Sequence, residues 1–306
     1  MTLFLPISEG QGDCKAAEAP ARSRASLSRV NTTAASAPFD APLASTRIGE
    51  GSRRVAFLHG LMGRGRNFTG PAKELGDDFT VELIDLPDHG ASPWTDRVDY
   101  REIADRVAAH LRAGLAADGP VHLLGHSMGG KVAMVLALRH PDLVDRLIVE
   151  DISPRVSPQA TDEFVHLLGT MLRMDLDAYD SRAEADAAMA EHVHDVRVRG
   201  FLLQNLRRTG GHFAWQPNVA MLFEHLREIG SFPDPVVPED PERVFDHPVL
   251  WLAGAESDYV QDEDVPRMKE LFPRVVRVTV RDAGHWLHAD QPEAFVSAVR
   301  TFLTAD

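Results

Sequence analysis

The stretch VHLLGHSMGGKVAMVLALR, residues 121–139, runs from a short apolar segment (121–124) through Gly125-His126-Ser127-Met128-Gly129 into a helical pattern that starts near Met128. A bare G-x-S-x-G is a weak signal, but a nucleophile elbow requires this position between a strand and a helix. The glycines are needed because the serine sits on a strained turn, where side chains at Gly125 and Gly129 would collide with neighbouring backbone. Ser127 then stands at a helix N-terminus, with the amide of Met128 able to face a developing oxyanion.

Outward from this stretch, strands alternate with amphipathic helices. Apolar runs rich in β-branched residues fall at 54–58, 80–84, 121–124, 147–149, 249–252 and 275–280. Helical patterns fall between and after them, at 67–75, 100–117, 128–139, 265–272 and 292–303. Continuous apolar strands joined by helices predict an α/β fold, a parallel sheet covered on both faces. Residues 154–235 break the alternation: they show no clear strand and carry helical patterns at 163–171, 182–194, 198–206 and 218–229. They read as a lid inserted between two strands. Residues 1–44 read as a mobile tail, rich in Ala, Ser, Pro, Thr and Arg. The expected organisation is therefore a tail (1–44), a core (45–153 and 236–306) and a helical lid or cap (154–235).

Composition narrows the partner. The 306 residues hold 46 Asp plus Glu against 32 Lys plus Arg, a net charge of −14 whose field repels phosphate. Nucleic acid is excluded as the main partner, and a small molecule is expected instead. A single cysteine, Cys14, leaves no disulfide framework and no thiolate metal cluster. No stretch approaches the roughly eighteen apolar residues of a membrane helix. The opening MTLFLPISEG is broken by Pro6 and reads as no secretory signal, so a cytoplasmic location is expected.

A serine hydroxyl needs a base, and the base is sought after the last strand. There Asp282-Ala283-Gly284-His285-Trp286 follows 275–280, so His285 is the candidate among 14 histidines. His126 diverges from Ser127 on the turn and reads as packing. His192, His194, His288 and Asp290 hint at metal spacing without a sufficient ligand set, and read as surface or lid residues; neither a metal nor a cofactor is expected. The acid has two candidates at strand ends, Asp151 in Glu150-Asp151-Ile152-Ser153-Pro154 and Asp258 in Gly254-Ala255-Glu256-Ser257-Asp258. A second oxyanion donor is expected from the loop Phe57-Leu58-His59-Gly60-Leu61-Met62-Gly63, at the amide of Leu61. His59, Trp215 and Trp286 are candidate substrate contacts, His59 having a second reading as a brace of its glycine turn. The turn DLPDHGAS, 85–92, reads as structural.

These residues together resemble the α/β-hydrolases, and within them the small esterases typified by bacterial YbfF and the animal abhydrolase domain-containing protein 11. The resemblance runs from about Arg54 to the C-terminus. Its pieces are HGLMG (59–63), DHGASP (88–93), GHSMGGK (125–131), EDISP (150–154), FLLQNL (201–206) and AGHWLHADQP (283–292). It implies a mostly parallel sheet with a helical lid after the sixth strand. It also bears on the acid: Gly254, Ser257 and Val260 fill the frame G-x-x-D-x-x-V, so a serine stands where the acid is usual. The YbfF-like group is understood to take its acid from the DISP-type motif, which implies Asp151 as acid and Ser257 as an auxiliary hydrogen-bonding group.

The function expected is serine hydrolysis of carboxylic esters or thioesters through an acyl-enzyme. Acyl transfer, perhydrolysis and carbon–carbon bond hydrolysis use the same residues, and a non-catalytic ligand binder is the rival from another class. Apolar side chains of the insertion, Phe164 and Trp215 among them, could line a pocket for a short to medium acyl chain.

Overall fold

Strand β2, Arg53–Leu58, shows why the buried strands read as unbroken apolar runs: Val55 and Phe57 enter one core while Ala56 and Leu58 enter the other. The computed structural model describes residues 41–156 and 158–305. Its main sheet has seven strands in the order β1-β3-β2-β4-β5-β8-β9. They are β1 (Ser45–Ile48), β2, β3 (Phe79–Ile84), β4 (Val121–His126), β5 (Val144–Glu150), β8 (Val249–Gly254) and β9 (Val275–Val280). All neighbours are parallel except β1, which pairs antiparallel with β3. Helices α2 (Tyr100–Arg112) and α3 (Met128–Arg139) cover one face; α1 (Thr69–Leu75) and α11 (Pro292–Thr304) cover the other.

Strand order reverses at β2, with β3 on one side and β4 on the other. Chains leaving the carboxyl ends of β2 and β4 therefore diverge, and a crevice opens between them, where open α/β sheets bind ligands. The loop after β2 carries residues 59–63, and the turn after β4 carries Ser127.

The segment between β5 and β8 holds α4 (Pro158–Arg173), α5 (Arg182–Ala190), α6 (Val196–Leu203), α7 (Val219–Glu224) and α8 (Leu226–Gly230). It also holds a two-stranded hairpin, β6 (Leu206–Thr209) with β7 (His212–Trp215), where no strand was expected. Gly210 and Gly211, both at positive φ, make its two-residue turn, but strands of four residues carrying Arg207 and Arg208 leave no apolar run to read. Among the described strands the insertion follows the fifth rather than the sixth, because a single antiparallel strand precedes the parallel ones.

Most of the expected tail lies outside the described residues, but its last few belong to the body. Leu43 is buried in the core, and Ala44 donates its N–H to Ser92 Oγ and accepts from the amide of Asp85. No helix among the described residues is long and apolar enough to cross a membrane. After β8, α9 (Val265–Leu271) leads to β9, and α10 (Leu287–Asp290) follows the loop that carries His285.

Candidate active site

Ser127 leaves β4 at φ 52° and ψ −120°, a conformation that residues with a side chain rarely adopt and that persists only where surroundings enforce it. The glycines on either side do so by removing bulk. A Cβ on Gly125 would lie 2.2 Å from the carbonyl oxygen of Gly129, and one on Gly129 would lie 2.5 Å from those of Leu58 and His59. The Ser127 amide donates to Glu150 O at 3.0 Å, pinning the turn to the end of β5. Met128 begins α3, so its N–H has no acceptor within the helix.

Gly60 rests on this turn: a Cβ there would come 3.1 Å from that of Ser127. Leu61, Ser127 and Met128 line one cleft of about 370 Å³, partly open to solvent, with Ile152, Phe164 and Tyr259. Helix α8 closes another side, where Leu226 and Ile229 reach the same space. Phe164 thus stands where an acyl pocket was expected. Trp215 does not: its indole donates to Met171 O at 3.1 Å and clamps the hairpin to α4.

The 59–63 loop is braced by two buried histidines. His59 Nδ1–H donates to Gly60 O at 2.8 Å, and Nε2 accepts from the Leu86 amide at 3.0 Å. Both ring nitrogens are thereby used by backbone, as a brace of the glycine turn would have them. His89 Nδ1–H donates to Pro87 O, and Nε2 accepts from the Met62 amide. The 85–92 turn is structural in the same way, Asp85 taking the amides of Gly65 and Ala91.

Burial keeps these rings neutral, because an imidazolium there loses its hydration; it pushes His59 down to about 3, with His89 adding to the effect, and lowers His89 and His126. The unfolded chain takes up protons near 6.5 that the folded chain refuses, so stability falls as pH drops below that value. His59, held near 3, contributes up to about 1.4 kcal/mol per pH unit across this window, and His89 and His126 act in the same direction. Thermal unfolding followed by circular dichroism is expected to show a clear fall in Tm between pH 6.5 and 5, above the carboxylate range. An unchanged Tm over that window contradicts the neutral assignment.

His285 and Asp151 are brought together. His285 Nδ1 donates to Asp151 Oδ2 at 2.7 Å, which leaves the Nε2 lone pair free. The Asp151 side chain is wholly buried, and further donors offset the loss of water: the Gly254 amide on Oδ1 at 2.9 Å and the Ser257 hydroxyl on Oδ2. Asp258 is exposed, and its backbone oxygen, not its carboxylate, accepts from Arg155. Two residues frame His285 that sequence reasoning did not assign to it: Tyr259 stacks on the ring at 3.8 Å, and His126 Nε2–H donates to the His285 carbonyl at 2.8 Å, while the Ser153 hydroxyl, 3.0 Å from Tyr259 O, has the Asp264 carboxylate as its nearer acceptor at 2.7 Å. Trp286 lies against Phe201, 5.4 Å between ring centroids, and lines a second cavity rather than the cleft of Ser127.

Two further buried charges flank the elbow. Lys131, one turn along α3 from Ser127, points its Nζ at the carbonyls of Gly230 and Ser231 (2.8 and 2.7 Å) and, at 3.4 Å, Ile229. Burial pushes this ammonium down to about 7. His288, expected at the surface, is only partly exposed: 9% of its side chain is accessible, and it bonds Glu150 at 2.8 Å. A charge at the inner end of an apolar strand gives no periodic signal of such a partner.

A strained serine between strand and helix, a cleft at the sheet's switch point and an imidazole on a buried carboxylate define a class of protein. The chain belongs to the alpha/beta hydrolase family, whose model matches residues 55–298. Among its relatives, the mouse sn-1-specific diacylglycerol lipase ABHD11 is 36% identical over 256 residues, 81% of this chain and 80% of that protein. Esterase YbfF of Escherichia coli is 29% identical over 252 residues, covering 81% of this chain and 92% of that protein. A solved marine microorganism esterase superposes with a TM-score of 0.80 at 34% identity, covering 86% of this chain and 99% of that one.

Proposed function

We propose that this ester-bond hydrolase works by acyl transfer to Ser127, with His285 as base and Asp151 as acid. His285 Nε2 takes the hydroxyl proton as Ser127 Oγ attacks the acyl carbonyl carbon. The amides of Met128 and Leu61 receive the tetrahedral oxyanion, the imidazolium returns its proton to the departing alcohol or thiol, and water attacks the acyl-enzyme by the same route. Asp151 holds His285 in the Nδ1–H tautomer and stabilises the imidazolium, with Ser257 as an auxiliary donor. The observation that carries this reading is the 2.7 Å bond between His285 Nδ1 and the wholly buried Asp151, on a loop that the residue before Ser127 holds in place.

The substrates we infer are carboxylic esters or thioesters of short to medium acyl chain. What supports this is the apolar lining of the cleft by Leu61, Ile152 and Phe164. Residues 154–235 act as a lid on the 45–153 and 236–306 core; α4 and α8 supply Phe164, Leu226 and Ile229 to the cleft.

A fluorophosphonate tests the mechanism, since it phosphonylates only an activated hydroxyl. The full chain is expected to gain one adduct by intact mass, mapped to Ser127 by peptide sequencing. A folded chain that takes no adduct, or takes it elsewhere, overturns the reading.

A further inference from the structure

Behind the elbow, on the side away from the acyl cleft, His126, Glu150 and His288 converge. One imidazole nitrogen from each histidine and one carboxylate oxygen lie within 4.8 Å of one another. They come from three places: the end of β4, the end of β5 and α10. His288 approaches Glu150 twice through the same oxygen, its amide at 3.1 Å and its Nδ1 at 2.8 Å from Oε1. The other oxygen, Oε2, is buried and has no hydrogen-bond partner. A lone buried ion pair does not account for that atom, because an unpartnered carboxylate oxygen away from water is costly and rare in folded proteins.

We propose that His126, Glu150 and His288 form a binding site for a divalent transition-metal ion of the Zn²⁺ type. Two imidazoles and one carboxylate are a donor set that zinc accepts, with a fourth position left for water. Tetrahedral ligands at about 2.0–2.1 Å from zinc lie roughly 3.3 Å apart, so small side-chain movements bring atoms now spaced between 2.8 and 4.8 Å into that shape. Burial favours the neutral, ligating form of His126. A small cavity open to solvent, lined by His126 and His288 together with His59, Gly60, Phe68 and Trp286, reaches two of the three ligands from outside. The ligands are invisible to spacing in the sequence, since Glu150 and His288 are 138 residues apart.

Occupancy also inhibits, an effect that rests on the serine mechanism proposed above whereas binding does not. His126 both precedes Ser127 and holds the His285 carbonyl through Nε2, so drawing its ring toward a metal disturbs the base and the elbow together.

The test is anomalous diffraction at the zinc edge on crystals of the full chain grown with equimolar Zn²⁺, alongside titration calorimetry with Zn²⁺ alone. Expected is a peak bounded by His126, Glu150 and His288, with one site per chain weakened at least roughly tenfold by Glu150→Gln or His288→Gln. Peaks only on surface histidines overturn the proposal without recourse to a variant, as does an affinity unchanged in folded Glu150→Gln. Fluorophosphonate labelling with and without Zn²⁺ reads the inhibition: slowing that Glu150→Gln relieves supports it, and an unchanged rate at full occupancy overturns it. A chain that binds Zn²⁺ at these residues but never labels retains the metal site and refutes the serine mechanism.

Discussion

Ser127→Ala is expected to lower kcat on a p-nitrophenyl ester by roughly 10⁶-fold, the loss seen when a serine nucleophile acting as one unit with its base is removed. In the proposed mechanism the hydroxyl is the attacking group, and the change leaves the backbone amides of Met128 and Leu61 in place. What survives is binding and oxyanion stabilisation, worth roughly 10³–10⁴ over water. Alanine carries the same Cβ as serine, so the turn at φ 52° is neither relieved nor newly strained, and circular dichroism should match the parent. Steady-state hydrolysis with purified chain checks the prediction. A kcat within tenfold of the parent would mean that another residue attacks.

Asp151→Asn carries the second largest effect, a fall of roughly 10⁴ in kcat, while Asp258→Asn is expected to stay within about twofold. The asymmetry follows from what each carboxylate touches. Asp151 Oδ2 accepts His285 Nδ1–H, so an amide turned to offer its NH₂ there favours the opposite tautomer and puts the proton on Nε2, where the lone pair must be. Its volume is unchanged, and the Gly254 amide still has an oxygen to bond. Asp258 is exposed, and its carboxylate has no part in that network. Parallel kinetics on the two variants decide between them, and the opposite ranking would move the acid to Asp258.

Why the acid stayed ambiguous in the sequence while the serine did not is a matter of distance along the chain. The elbow is local: apolar strand, two glycines and helix lie within residues 121–139, and α3 begins and ends where its pattern says. Asp151 and Asp258 look alike because each follows a strand. What separates them is register: β5 pairs with β8, and β8 with β9, so Asp151, Gly254 and the His285 loop arrive at one sheet edge. The Tyr259 stack, the Glu150–His288 pair and the bracing by His59 and His89 are non-local in the same sense. Leu43 sits between alanines and prolines with no periodic pattern to mark it, and Trp215 looked like pocket lining because an aromatic residue in an insertion serves either purpose.

Lys131 joins two parts that would otherwise be independent. Its backbone belongs to the helix that starts directly after Ser127, and its ammonium fastens the carbonyls at the end of α8, a wall of the cleft that Ser127 lines. That wall is consequently geared to the catalytic helix and cannot swing out alone. Among the described residues, Phe164 on α4, on another wall of the cleft, has no such tie to α3. A substitution that loosens the α8 wall therefore also disturbs the helix that begins after Ser127, whereas one at Phe164 leaves that coupling untouched.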